Sequence, residues 1–150
     1  MSGVREAAES VWARVEKHGK SAFNEQNTCS ILIEPLLASL GWDLTDPKSV
    51  DRQYRVYDGT RLDFALMLAG KPALFVEAKA AGQSLDHPPF IAQAINYANN
   101  EGVLWCVLTN GLLYRVYKTN EPVAMPEKLM FEANLAELGD LATQGTTCVR

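Results

Sequence analysis

The sequence predicts an α/β fold, a mixed β-sheet with helices on both faces, and three observations predict it. Two short apolar runs flank Gly70-Lys71-Pro72 within residues 59–79, which reads as a β-hairpin. A helix-patterned stretch opening at Pro89 separates the second of these strands, 73–79, from a continuous apolar run at 103–108. Such a strand–helix–strand passage makes its two strands parallel, with a right-handed crossover. Thr109-Asn110-Gly111 then divides 103–108 from a strand at 112–118, a second hairpin signal.

In chain order, residues 2–18 form an amphipathic helix, with Val4, Ala8, Val11, Trp12 and Val15 at helical spacing and Gly19 as its stop. A second helix starts near Asn24 or Asn27 and runs to Leu40, with Gly41 beyond its end. Pro35 inside it predicts a kink or a late first regular turn. Glu34, beside that proline, either faces solvent or is aimed at something. Residues 42–50 are a loop, 53–57 alternate as a strand, and Asp58-Gly59 is a tight turn. The central hairpin follows. Residues 80–89, with Gly82, Ser84, Pro88 and Pro89, form a connector expected to be mobile. The helix after it reaches about Asn100. A short strand around 128–131 and a final helix from Asn134 to about Ala142 complete the order.

The chain has 150 residues, 47% of them hydrophobic, which suits one domain over 1–150 with a sizeable core. No apolar run is long enough for a membrane span, and the polar start has no signal-peptide core, so the expected location is cytoplasmic. Cys29, Cys106 and Cys148 lack C-x-x-C spacing, and His18 and His87 lack ligand spacing, which argues against zinc and disulfides. The net charge of −4 argues mildly against a tight, constitutive nucleic-acid binder. Five of the acids lie between Glu121 and Arg150, so the rest of the chain is almost neutral and leaves room for a local basic rim.

The hairpin carries the chemistry. Folding it about Gly70 and Lys71 sets Asp63 across from Glu77 or its neighbour, and strand alternation puts Glu77 and Lys79 on one face. Two carboxylates in an apolar hairpin repel unless a cation lies between them. Lys79 can be that cation, or Mg²⁺ can, which takes one or two carboxylates together with phosphate oxygens. In the second case Lys79 is free to hold or deprotonate an attacking water, or to neutralise charge on a phosphorane-like transition state. An isolated E-x-K is more often a solvated ion pair. Here the apolar flanks Phe75-Val76 and Ala78, the partner position of Asp63, and the i, i+4 pair Gln93 and Tyr97 weigh against that reading. Tyr97 as plain core and Gln93 as plain surface stay open. Arg61 shares the strand face of Asp63, as an exposed strand-end cation or as a phosphate contact. Lys71 at the turn carries the same two readings.

With these residues in hand, the sequence resembles the PD-(D/E)XK nuclease superfamily and, within it, the N-terminal nuclease domain of type I restriction enzyme R subunits. The resemblance covers Pro35-Leu36-Leu37 with Leu40-Gly41-Trp42-Asp43, then Gly59-Thr60-Arg61-Leu62-Asp63 and Phe75-Val76-Glu77-Ala78-Lys79. It continues through the Q-x-x-x-Y motif Gln93-Ala94-Ile95-Asn96-Tyr97, Leu108-Thr109-Asn110-Gly111 and Tyr114-Arg115-Val116-Tyr117. Leu62 stands where the family pattern has proline. The resemblance implies a restriction-endonuclease-like fold and Mg²⁺-dependent cleavage of DNA, with Mn²⁺ as a substitute. Asp63 and Glu77 match the metal-binding acids, the Ala78 carbonyl a backbone ligand, and Lys79 the catalytic lysine. Gln93 and Tyr97 match the pair that orients the site and contacts nucleic acid, and Glu34 the helical acid that supports the metal.

No G-x-x-x-x-G-K-[ST] phosphate loop and no helix-turn-helix occur, so this chain offers no ATP site and no sequence-reading element. A separate motor or specificity subunit is the implied partner, unless the chain is a fragment or acts alone. A dimer would supply the two active sites that double-strand cleavage needs, but no residue specifies one. The alternative function is a catalytically silent DNA- or protein-binding module that keeps the nuclease fold.

Overall fold

The structure, a computed structural model, describes residues 2–137. Helix α1 (Ser2–His18) ends at Gly19, whose φ of 81° only glycine adopts freely. A 3₁₀ turn (Lys20–Ala22) leads to a helical stretch over 25–39 in three parts: α2 (Glu25–Asn27), a π-helical segment (Thr28–Ile33) and α3 (Glu34–Ser39). Asn24 caps its start by accepting the Asn27 N–H at 2.8 Å.

The expected disturbance at Pro35 takes the form of the π segment just before it. A proline offers no N–H to the carbonyl four residues back, here that of Ile31. The Arg14 guanidinium on α1 donates to that carbonyl instead, at 2.8 Å, which joins the two helices.

Six strands follow the helices: β1 (Val50–Arg55), β2 (Arg61–Leu68), β3 (Lys71–Ala78), then, after α4 (Pro88–Asn100), β4 (Trp105–Thr109), β5 (Leu113–Lys118) and β6 (Leu129–Asn134). They form one sheet in sequence order. As the crossover through α4 predicts, β3 and β4 are parallel, and every other neighbouring pair is antiparallel. One face of the sheet buries Phe64, Leu66, Val76 and Val107 against Val11, Leu32 and Leu36 of the N-terminal helices. The other buries Ala65, Phe75, Cys106 and Leu108 against Ala94, Ile95 and Ala98 of α4. This is the mixed sheet with helices on both faces that the pattern predicts.

The central hairpin turns one residue earlier than expected. Ala69 and Gly70 form the turn with φ of 51° and 75°, and Lys71 and Pro72 belong to β3. Two consecutive positive φ values make a primed turn, whose twist suits a hairpin. Pro72 faces Met67 at a register shift beside Leu66, a place where a strand tolerates a missing N–H. Strand β1 also begins earlier than the alternation suggests and ends at Arg55. The turn beyond it is built on Asp58, whose carboxylate accepts from the Thr60 N–H at 2.9 Å and its hydroxyl at 2.6 Å.

The connector after β3 is tied down rather than loose. Ala81 N–H meets Thr28 Oγ1 at 3.1 Å, Asn110 donates to the Gln83 carbonyl at 2.9 Å, and Arg115 bonds both Asp86 and Glu132. Asn110 also accepts the Leu112 and Leu113 N–H groups, which closes the β4–β5 turn. Asn134 accepts the Ala136 N–H at 3.0 Å, as an N-cap does, while the rest of the expected final helix lies outside the described residues, as does Cys148. Cys29 and Cys106 are free thiols. No described helix is long and apolar enough to cross a membrane.

Candidate active site

The hairpin register runs Leu66–Leu74, Ala65–Phe75, Phe64–Val76, which carries on to set Asp63 against Glu77. Glu77 and Ala78 end β3, and the Lys79 N–H continues the parallel ladder to the Thr109 carbonyl at 2.8 Å. Asp63, Glu77 and Lys79 are 7%, 6% and 8% exposed, and among the described residues no other charged side chain is buried. Charged groups are seldom buried without a partner or a task.

Asp63 is held from two sides. Its Oδ2 accepts the Ala78 N–H at 2.7 Å, and its Oδ1 accepts the Gln53 amide at 3.2 Å. The N–H of Ala78, the residue whose carbonyl is the expected backbone ligand, thus sits against Asp63. Lys79 Nζ lies 3.9 Å from Glu77 Oε1, donates to Gln93 Oε1 at 2.9 Å, and stands 4.4 Å from the centre of the Phe90 ring. The Gln93 amide donates onward to the Tyr97 hydroxyl at 3.0 Å. The i, i+4 pair on α4 is therefore a single hydrogen-bonded strut behind Lys79, and neither plain core nor plain surface describes it.

A third acid completes the cluster, and it is not the expected one. Carboxylate oxygens of Glu25, Asp63 and Glu77 lie within 4.8 Å of one another. Glu34 does not join them. Its carboxylate is taken by Arg52, through Nη2 at 2.6 Å and Nε at 3.2 Å, a bidentate pair that fastens α3 to β1. Glu25 stands two helical segments earlier, at the first position of α2. The capping signal at Asn24 marks where that helix starts, but nothing local says that Glu25 leans toward the sheet. Arg61, at the exposed start of β2, donates to the Gln53 carbonyl at 3.3 Å. Lys71 is exposed at the first position of β3.

Burial pushes the Glu77 carboxyl up to about 9, with the adjacent Asp63 carboxylate adding to the rise and Lys79 opposing it. Glu25 is also raised, by burial first and then by Asp63. Glu77 Oε2 is buried and has no hydrogen-bond partner. The site is thus short of positive charge, and one of its three acids, Glu77, carries an unsatisfied buried oxygen.

No protein-family model matches the chain, and no curated protein matches it. Among solved structures, a fragment assigned as the HsdR subunit of a type I restriction enzyme from Vibrio vulnificus YJ016 is similar at 26% identity and a TM-score of 0.54. That match covers 64% of this chain and 21% of the other, so this chain spans about a fifth of its neighbour's length. A DrdV–DNA complex, solved by electron cryomicroscopy, matches over 93% of this chain and 13% of its own at 13% identity and a TM-score of 0.49. The six-stranded mixed sheet is a restriction-enzyme-like fold.

Proposed function

We propose that this chain is a nuclease module of the PD-(D/E)XK type, a Mg²⁺-dependent endodeoxyribonuclease resembling the nuclease domain of type I restriction R subunits. The observation that carries the proposal is the burial of Asp63, Glu77 and Lys79 together, with Glu25 at hand and Glu77 Oε2 lacking a partner. An all-oxygen donor set of this kind fits a hard divalent cation. Asp63 and Glu77 would hold it, supported by Glu25 in place of Glu34 and by the Ala78 carbonyl. Bound there, Mg²⁺ or Mn²⁺ supplies Lewis-acid polarisation of the scissile phosphoryl group and acidifies a water.

The chain's own residues do the rest. The Ala78 N–H and the Gln53 amide fix the Asp63 carboxylate before substrate arrives. Gln93, itself bonded to Tyr97, holds the Lys79 ammonium beside Glu77. From there Lys79 can orient the attacking water or meet the charge that develops on the phosphorane-like transition state. Arg61, exposed at the start of β2 two residues before Asp63, would offer its guanidinium to a DNA phosphate. Motor and site-selection functions would come from other segments or subunits, since this chain carries no phosphate loop.

A second reading is a silent DNA- or protein-binding module on the same fold, and the net charge of −4 speaks for its protein-binding form. Incubation of supercoiled plasmid with Mg²⁺ or Mn²⁺ separates the two. The wild type should nick or linearise DNA, and Asp63→Ala and Lys79→Ala should each slow cleavage by at least about 100-fold. Equal inertness of all three proteins while DNA is still bound would sink the nuclease reading in favour of the second.

A further inference from the structure

Two non-glycine residues among those described have positive φ, Ala69 at 51° and Gln53 at 54°. The hairpin turn accounts for Ala69. Gln53 lies inside β1, where the backbone should be extended. The register is the same on both sides of it, Arg52 facing Phe64 and Tyr54 facing Leu62. No residue is inserted there, so a bulge does not explain the rotation. A long side chain in the left-handed region is strained, and such outliers gather where surrounding structure holds a residue for a purpose.

The pairs on either side, Arg52 with Phe64 and Tyr54 with Leu62, put Gln53 opposite Asp63. The Gln53 side chain is exposed at the rim, yet its amide donates to Oδ1 of the buried Asp63 carboxylate at 3.2 Å. Its carbonyl accepts from Arg61, the exposed cation two residues before Asp63. One residue, through its side-chain amide and its backbone carbonyl, thus ties the acid and the flanking guanidinium together. The Ala78 N–H occupies Oδ2 from the other side. These two donors leave the carboxylate little freedom to rotate about its Cβ–Cγ bond.

We infer that Gln53 is a positioning residue for the cation site, kept in a left-handed conformation so that its amide sets the plane of the Asp63 carboxylate. The inference rests on the metal-site reading above. Groups that hold ligating carboxylates typically change metal affinity by 10–100-fold when removed. A residue present only for the fold would behave differently, because glycine would serve the backbone better.

The test uses Gln53→Ala and Gln53→Gly, with Mn²⁺ affinity measured by calorimetry and Tm measured without metal. Both variants should bind Mn²⁺ at least about tenfold more weakly than wild type. Glycine should melt higher than alanine by about 2 °C, because both lack the amide and only glycine is at ease at this φ. Undiminished Mn²⁺ affinity in either variant, or a glycine variant no more stable than alanine, overturns the inference while the metal site stands. Failure of the wild type itself to bind Mn²⁺ overturns both.

Discussion

At the scale of single residues, Glu77 sets the pH behaviour of the site. Folding raises its carboxyl from an ordinary 4.5 to about 9, chiefly by burial. Between those values the folded chain holds a proton that the unfolded chain has released. The contribution to stability is therefore complete below the unfolded value and is lost as pH rises through the folded one. Denaturation of the metal-free protein should show stability falling by up to about 1.4 kcal/mol per pH unit across this window. Glu77→Gln, which cannot titrate, should flatten the profile, and an unchanged slope in that variant would assign the proton elsewhere. Glu77, Lys79, Gln93 and Tyr97 are legible in the sequence because strand alternation and helical spacing fix their faces without any long-range knowledge. Glu25 is not, because its approach to Asp63 depends on how a short helical turn packs against the sheet. Glu34 misleads for the same reason: Arg52, eighteen residues on, claims its carboxylate. The strain at Gln53 has no signature in residue type at all.

At the scale of elements, two turns decide how firmly the site's strands are held. The β2–β3 turn places Ala69 where glycine or asparagine is at ease. Ala69→Gly should stabilise the protein by about 0.5–1 kcal/mol in urea denaturation, the relief of the left-handed cost less the entropy of a freer unfolded chain. The β4–β5 turn has the opposite tolerance. Gly111 has a φ of 85°, and a Cβ there would fall 2.9 Å from Leu32 Cβ and 3.0 Å from Thr28 Cγ2. Gly111→Ala should cost about 2–4 kcal/mol by the same measurement. It should also disturb the connector beyond β3, since Thr28 accepts the Ala81 N–H. Both turns are visible in the sequence as Gly-containing breaks, and the Asn110-Gly111 signal fixes its hairpin closely. The earlier placement of the first turn comes with a register shift beside the Met67–Pro72 pair, which local patterning does not reveal. The π segment before Pro35 is anticipated only as a disturbance. The Arg14 guanidinium that meets the Ile31 carbonyl there comes from another helix, which no local pattern reveals.

For the whole molecule, the sheet gathers three carboxylates from α2, β2 and β3 at one end of the parallel pair and backs them with α4. Fold class and strand order follow from the alternation of hairpins with one helical crossover, so both are largely written in the sequence. A cation seated among these acids would link distant parts of the chain and stabilise the folded state as any ligand does, by about 2.7 kcal/mol at a hundred times its Kd. The thermal midpoint should rise with Mn²⁺ in the wild type and stay put in Asp63→Ala. The most direct measurement is a calorimetric titration of Mn²⁺ into the wild type and into Glu77→Ala, repeated in buffers of different ionisation enthalpy near neutral pH. Saturable binding by the wild type, with release of about one proton as the cation displaces it from Glu77, and loss of that binding in Glu77→Ala, are the predicted results. A wild type that takes up no Mn²⁺, or a Glu77→Ala variant that binds it as tightly, would contradict the account.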